Sequence, residues 1–118
     1  MTPLAVLLAL TVQQADTGVV LEAALDVPPT IVKGPRLIYP IDLLLNGKQG
    51  IVVVQFVLDT TGRAERKSLR VVSTPHMGFN LAAKAYVTDA EFTPALFQGH
   101  KVRALLQFPI VFRVGTGP

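Results

Sequence analysis

Two histidines, His76 and His100, and four of the eight acids, Asp42, Asp59, Asp89 and Glu91, are the first candidates for metal or proton chemistry. A zinc site needs three or four ligands within reach. This chain has no Cys, and each histidine sits beside turn residues, far from the other. Paired carboxylates could serve general acid–base catalysis, but each acid has a cheaper reading. Asp42 complements a helix start, Asp59 begins a turn, and Asp89 and Glu91 fall at an exposed helix end. No GxSxG, P-loop or GxGxxG pattern occurs, and "GTGP" at Gly115 to Pro118 reads as a tail rather than a phosphate cradle. The expectation is a protein that is not an enzyme, with no cofactor and no metal.

Composition narrows the partners. Half of the 118 residues are hydrophobic and 16% are charged, enough for one domain with a real core. Residues 1–32 carry Asp16, Glu22 and Asp26 without a base, and the remainder carries 11 bases against 5 acids. Such a surface favours anionic partners in general. Nucleic acid is disfavoured: an RNA-binding sheet shows aromatic rings on its open face. Phe56, Phe108 and Phe112 instead fall in register with core positions, and Arg63, Arg66, Lys67 and Arg70 cluster without interleaved aromatics.

The elements that must position these residues follow from period and punctuation. Pro3 to Val12 is an apolar run of signal-peptide length, too short to span a bilayer, so residues 1–15 read as a leader: a signal peptide cleaved near Ala15, or a short anchor. Residues 16–34, with Pro28, Pro29 and Gly34, read as a linker holding one short strand near Thr30 to Lys33. From Pro40 to Gly47 a short helix is predicted, with Ile41, Leu44 and Leu45 as its apolar members. "GIVVVQFVLD" from Gly50 is a strand with Val52, Val54, Phe56 and Leu58 on one face and Ile51, Val53, Gln55 and Val57 on the other. "DTTG" is a turn, Ser68 to Ser73 a second strand, and Phe79, Ala82, Ala83, Tyr86, Val87 and Ala90 a helical stripe with Asn80 as its N-cap. The last strand, "KVRALLQFPIVFRVG" from Lys101, contains Pro109, which a central strand would not tolerate. The fold class is α+β: a three-stranded antiparallel sheet with two helices on one face, in the order α-β-β-α-β. Phe56 and Phe92 are expected beneath the helices. The apolar second face of the first strand reads either as tolerated surface, or as one covered by the Pro-rich segment folding back, or as a dimer or partner surface.

Several signals also fall in a known sequence. Tyr39–Pro40, Gly50, the alternating strand, the turn glycine Gly62, "RVVST", "FNLAAKAY", "FTPA" with Phe92 and Pro94, Gly99, and "FPIVF" ending on Phe112 follow one another in order. This resembles the C-terminal domain of the TonB family over residues 35–114, with 115–118 as a tail. The resemblance implies a periplasmic module that binds the TonB box of an outer-membrane receptor by strand addition, in support of energy-dependent transport. It implies the sheet order second–first–third, which leaves the final strand at an edge where Pro109 is allowed. The partner-binding residues are then Lys101, Val102, Arg103, Ala104, Leu105, Leu106, Gln107 and Phe108. Inner-membrane motor proteins are further implied partners. The chain departs from the full-length family pattern in having no long Pro/Lys/Glu-rich spacer, no Ser and His in its leader of the kind that face the motor, and Ala90 where some members carry Trp. The alternative is a structural or adaptor domain that homodimerises or binds cell wall.

Overall fold

The alternating strand predicted from Gly50 is the centre of the computed structural model, which describes residues 18–114. The expectations for the leader to Ala15 and for the 115–118 tail lie outside the described residues. Strands β1 (Val19–Leu21), β2 (Ile31–Lys33), β3 (Gly50–Leu58), β4 (Arg70–Ser73), β5 (Glu91–Phe92), β6 (Ala95–Phe97) and β7 (His100–Phe112) are joined by helices α1 (Ile41–Leu45) and α2 (Asn80–Asp89).

Period two decides β3. Val52, Val54, Phe56 and Leu58 are fully buried, while Ile51 is exposed and Val53, Gln55 and Val57 are half-buried. β7 runs antiparallel along all of β3, with Val54 opposite Phe108, Phe56 opposite Leu106 and Val52 opposite Ile110. Ala104, Leu106, Ile110 and Phe112 are therefore buried on the same face, with Phe108 partly buried against them. Helix α2 closes that face with Phe79, Ala83, Val87 and Ala90, the predicted stripe. Phe56 and Phe92 are both buried, their ring centroids 5.5 Å apart.

The sheet is larger than the three strands expected. Its order is β1-β7-β3-β4 with β6 also paired to β7, and β2 and β5 form a separate two-stranded ribbon. The second, first and third strands of the sequence reading do lie side by side, but β1 runs along β7 on the side away from β3. β1 falls in the stretch read as linker. Val19 and Val20 are only half-buried, so the three-residue segment owes its conformation to the partner strand rather than to a hydrophobic pattern of its own.

Three local readings also change. In α1 the buried residue is Leu43, and Ile41 and Leu45 are exposed. Pro40 sits at the cap, the Asn46 side-chain amide donates to the Asp42 carbonyl at 2.8 Å, and Gly47 leaves the helix at φ 67°. Asn80 does not cap α2. It is the first residue of the helix, whose N-cap Phe79 makes no side-chain bond, and His76 instead caps the 3-10 turn Met77–Phe79 that leads into α2, its Nδ1 accepting the Gly78 N–H at 2.9 Å. The second strand begins at Arg70 rather than Ser68, because residues 66–68 form a 3-10 turn. There the Ser68 hydroxyl donates to the Glu65 carbonyl and accepts the Val57 N–H.

Candidate functional site

The strand that carries the predicted partner surface, β7, is positioned by an aromatic cluster. Phe112 at its end stacks on Phe79 with centroids 4.3 Å apart, and Tyr39 meets both rings edge-on. The Tyr39 hydroxyl donates to the Lys48 carbonyl. At the other end a tight turn through Gln98 and Gly99, both at positive φ, joins β6 to β7. The family-pattern residues are thus mainly structural. Tyr39 and Phe112 build the cluster, Pro40 starts α1, Gly50 abuts Pro75, Gly62 abuts the Phe92 backbone, Pro94 precedes β6, and Gly99 makes the turn.

Alternation along β7 sorts the eight predicted contact residues. The Gln107 N–H points away from β3, since it donates to the Glu22 carboxylate at 3.1 Å. Residues two apart share a direction, so Arg103 and Leu105 also turn their N–H and C=O groups to that edge. Pro109 shares it too, so the donor it lacks is one that β3 never needed. Ala104, Leu106 and Phe108 face the core with their side chains and β3 with their backbone. Lys101 and Val102 pair with β6. The outward rail therefore reduces to Arg103, Leu105 and Gln107.

That rail is not bare. Val19, Val20 and Leu21 pair in parallel with Arg103, Ala104 and Leu105. Glu22 continues the contact to Gln107, and Asp26 fastens the return of the chain. Its carboxylate accepts the Gln98 and Gly99 N–H groups at 2.9 and 3.0 Å, and its own N–H donates to the Leu96 carbonyl. Sequence reasoning missed β1, Glu22 and Asp26; the one usable signal was the run of acids in a segment that precedes a basic domain.

Electrostatics beside the rail is modest. Arg103 reaches the Glu65 carboxylate with both Nε and a terminal nitrogen at 2.7 Å. That bidentate bond holds the Glu65 carboxyl below its ordinary value. Burial pushes the Asp59 carboxyl up, but bonds from the Thr61 hydroxyl and the Arg63, Thr61 and Gly62 backbone outweigh it and leave it lowered as well. Both shifts stabilise the fold above the carboxylate range and are lost as pH falls through the folded-state values. The urea midpoint should hold from pH 7 to about 5 and drop below about 4. Glu65→Gln should flatten part of that fall; an unchanged acid limb would refute the assignment.

The residues tested for chemistry stay apart. Glu91 faces Arg63 at 3.8 Å, Asp59 is spent on its turn, and His76 on its cap. No group of three or more His, Cys, Asp or Glu side chains is placed to hold a metal among the described residues. A groove of about 340 Å³ between residues 35–40 and α2 is lined mainly by Pro35, Ile38, Pro40, Leu81, Ala85 and Tyr86, with Arg36 and Asp89 its charged members.

The solution NMR structure of the Pseudomonas aeruginosa TonB CTD is similar to this chain with a TM-score of 0.55 at 20% identity, covering 76% of this chain and 90% of that one. No curated protein matches the chain. Residues 35–114 match the family described as Gram-negative bacterial TonB protein C-terminal, a span that takes in α1 through β7. The chain belongs to that family.

Proposed function

We propose that this is a non-catalytic interaction module of the cell envelope, on the periplasmic side, that binds the TonB box of an outer-membrane receptor as an added strand along β7 and so supports energy-dependent transport. Family membership supports a receptor-interacting domain. The observation that carries the docking mode is the outward rail of β7, which already holds one parallel strand. Backbone pairing at such an edge supplies most of the affinity, and side-chain pockets select the partner. Among the described residues no helix is long and apolar enough to cross a membrane.

The test is titration of the isotope-labelled chain with a TonB-box peptide. Shifts should centre on Arg103, Leu105 and Gln107. Shifts confined to β4, with the β7 amides unmoved, would sink the reading. Gln107→Pro should abolish binding and leave the β3–β7 ladder intact, since the N–H it removes meets only the Glu22 carboxylate. Arg103→Gln should slow association more than it weakens the final complex, because a rim charge acts mainly on encounter.

A second reading, a homodimerising adaptor, has one observation in its favour. Ile51, Val72 and Val111 are 51%, 41% and 42% exposed. β3 and β7 set Ile51 and Val111 directly opposite each other on the uncovered face. Size-exclusion chromatography with and without the peptide separates the two: a peptide-independent dimer would favour the adaptor.

A further inference from the structure

We propose that residues 19–26 are a resident occupant of the β7 edge, an intramolecular strand that an incoming peptide has to displace. The nature of the incoming peptide rests on the function proposed above; the occupancy rests on geometry alone. The segment fills the rail from end to end. Val19–Leu21 lie parallel to Arg103–Leu105, and the Glu22 carboxylate takes the Gln107 N–H. Two residues further on stands Pro109, where the outward donors are interrupted. A strand entering this edge thus has a span of Arg103 to Gln107, and β1 with Glu22 covers all of it.

Charge holds the occupant at its middle and at its C-terminal end. Glu22 and Asp26 belong to a stretch without a base, and they close on the N–H groups of a domain with an excess of bases. Packing holds it weakly. Val19 and Val20 are half-buried, and Leu21 is 61% exposed. None of residues 19–26 is among the buried core, and Leu25 is the member packed against it. A segment with exposed side chains and a short ladder belongs to the part of a protein that opens most readily. It ends in the proline-bearing stretch at Pro28 and Pro29, and the ribbon of β2 with β5 tethers it, so it stays near the edge when released. A competitor tethered in this way lowers the apparent affinity of any rival strand by the fraction of time the edge is open. The occupant also describes what the edge accepts: a parallel strand of apolar residues followed by an acid that meets the Gln107 N–H.

The expected behaviour can be read with three chains and two peptides. In a parallel ladder the residue between those opposite Arg103 and Leu105 turns its backbone toward β7, so Val20→Pro should free the edge. Glu22→Gln, milder and without backbone change, should free it in part. The probes are a synthetic peptide of this chain's residues 18–26 and a TonB-box peptide, each titrated by NMR into full-length wild type, Val20→Pro and Glu22→Gln. The 18–26 peptide should bind Val20→Pro at Arg103–Gln107 at least about tenfold more tightly than wild type, with Glu22→Gln between. The β3–β7 amides should stay protected in all three. Equal binding to wild type and variants, or Arg103, Leu105 and Gln107 amides that exchange in wild type as fast as in Val20→Pro, would overturn the occupancy. Concentration-dependent protection of those amides would overturn its intramolecular form by pointing to exchange of β1 between two copies. If the 18–26 peptide binds the variants as expected and the TonB-box peptide binds none of the chains, the occupancy stands and the proposed receptor reading fails. If the TonB-box peptide binds all three equally, the receptor reading stands and the occupancy fails.

Discussion

Phe79→Ala should lower the unfolding free energy by about 3–5 kcal/mol, a large fraction of what a domain of this size has. The ring is fully buried, stacks on Phe112 at 4.3 Å and meets Tyr39 edge-on at 5.7 Å. Its loss removes buried area and leaves a void that α2, the end of β7 and the residues before α1 would all have to close at once. Aromatic pairing adds about 0.5–1.5 kcal/mol for a contact of this kind beyond area alone. Phe56→Ala should cost a similar amount, because Phe56 lies under α2 against Phe92. The comparison is Leu81→Ala on the outer side of α2, 80% exposed, which should change stability by no more than about 0.5 kcal/mol. Urea unfolding with a common slope checks all three. A Phe79→Ala midpoint close to that of Leu81→Ala would show that the cluster does not hold β7 to α2.

Gly62→Val should be the second large loss, and for a different reason. Gly62 is held at φ 92°, where a side chain strains the backbone by about 1–3 kcal/mol. A Cβ there would also fall on the Phe92 carbonyl oxygen, which is backbone and cannot rotate away. The two segments are tied at that point, since the Phe92 N–H donates to the Gly62 carbonyl at 2.8 Å. Displacing β5 adds about 1–3 kcal/mol of overpacking. Gly99→Ala isolates the first contribution. Gly99 has φ 80°, but a Cβ added there would meet nothing within 4 Å, so it should show the backbone strain alone. Equal losses at the two glycines would mean that the approach of β5 to the β3 turn contributes nothing.

The two glycines illustrate what was legible in residues alone. A turn signal after Asp59 and an order of small landmarks from Tyr39 to Phe112 gave the α+β class and the family resemblance. Which landmark stands against which backbone was invisible, because close approach is made between segments distant in sequence. The same division runs through the helices. The α2 stripe was readable because period 3.6 places Ala83 and Val87 on one face, whatever they meet. Its entry was not, because Asn80 and His76 can both accept an N–H, and only the path of the 3-10 turn before the helix aims His76 at one.

By itself the sequence determined the two faces of β3 and β7, the stripe by which α2 packs, and the demand that the proline at 109 turn away from a paired strand. Each follows from local period or from a donor that proline lacks, and these act within a few residues. The tertiary structure alone decided what lies on the far side of β7. A three-residue strand has no period to read, and Val19–Leu21 acquires its conformation from the outward-facing backbone of a partner that is more than 80 positions away by the register Val19 to Arg103. Glu22 and Asp26 look like ordinary exposed acids until that register sets one beside Gln107 and the other beside the turn at Gln98 and Gly99.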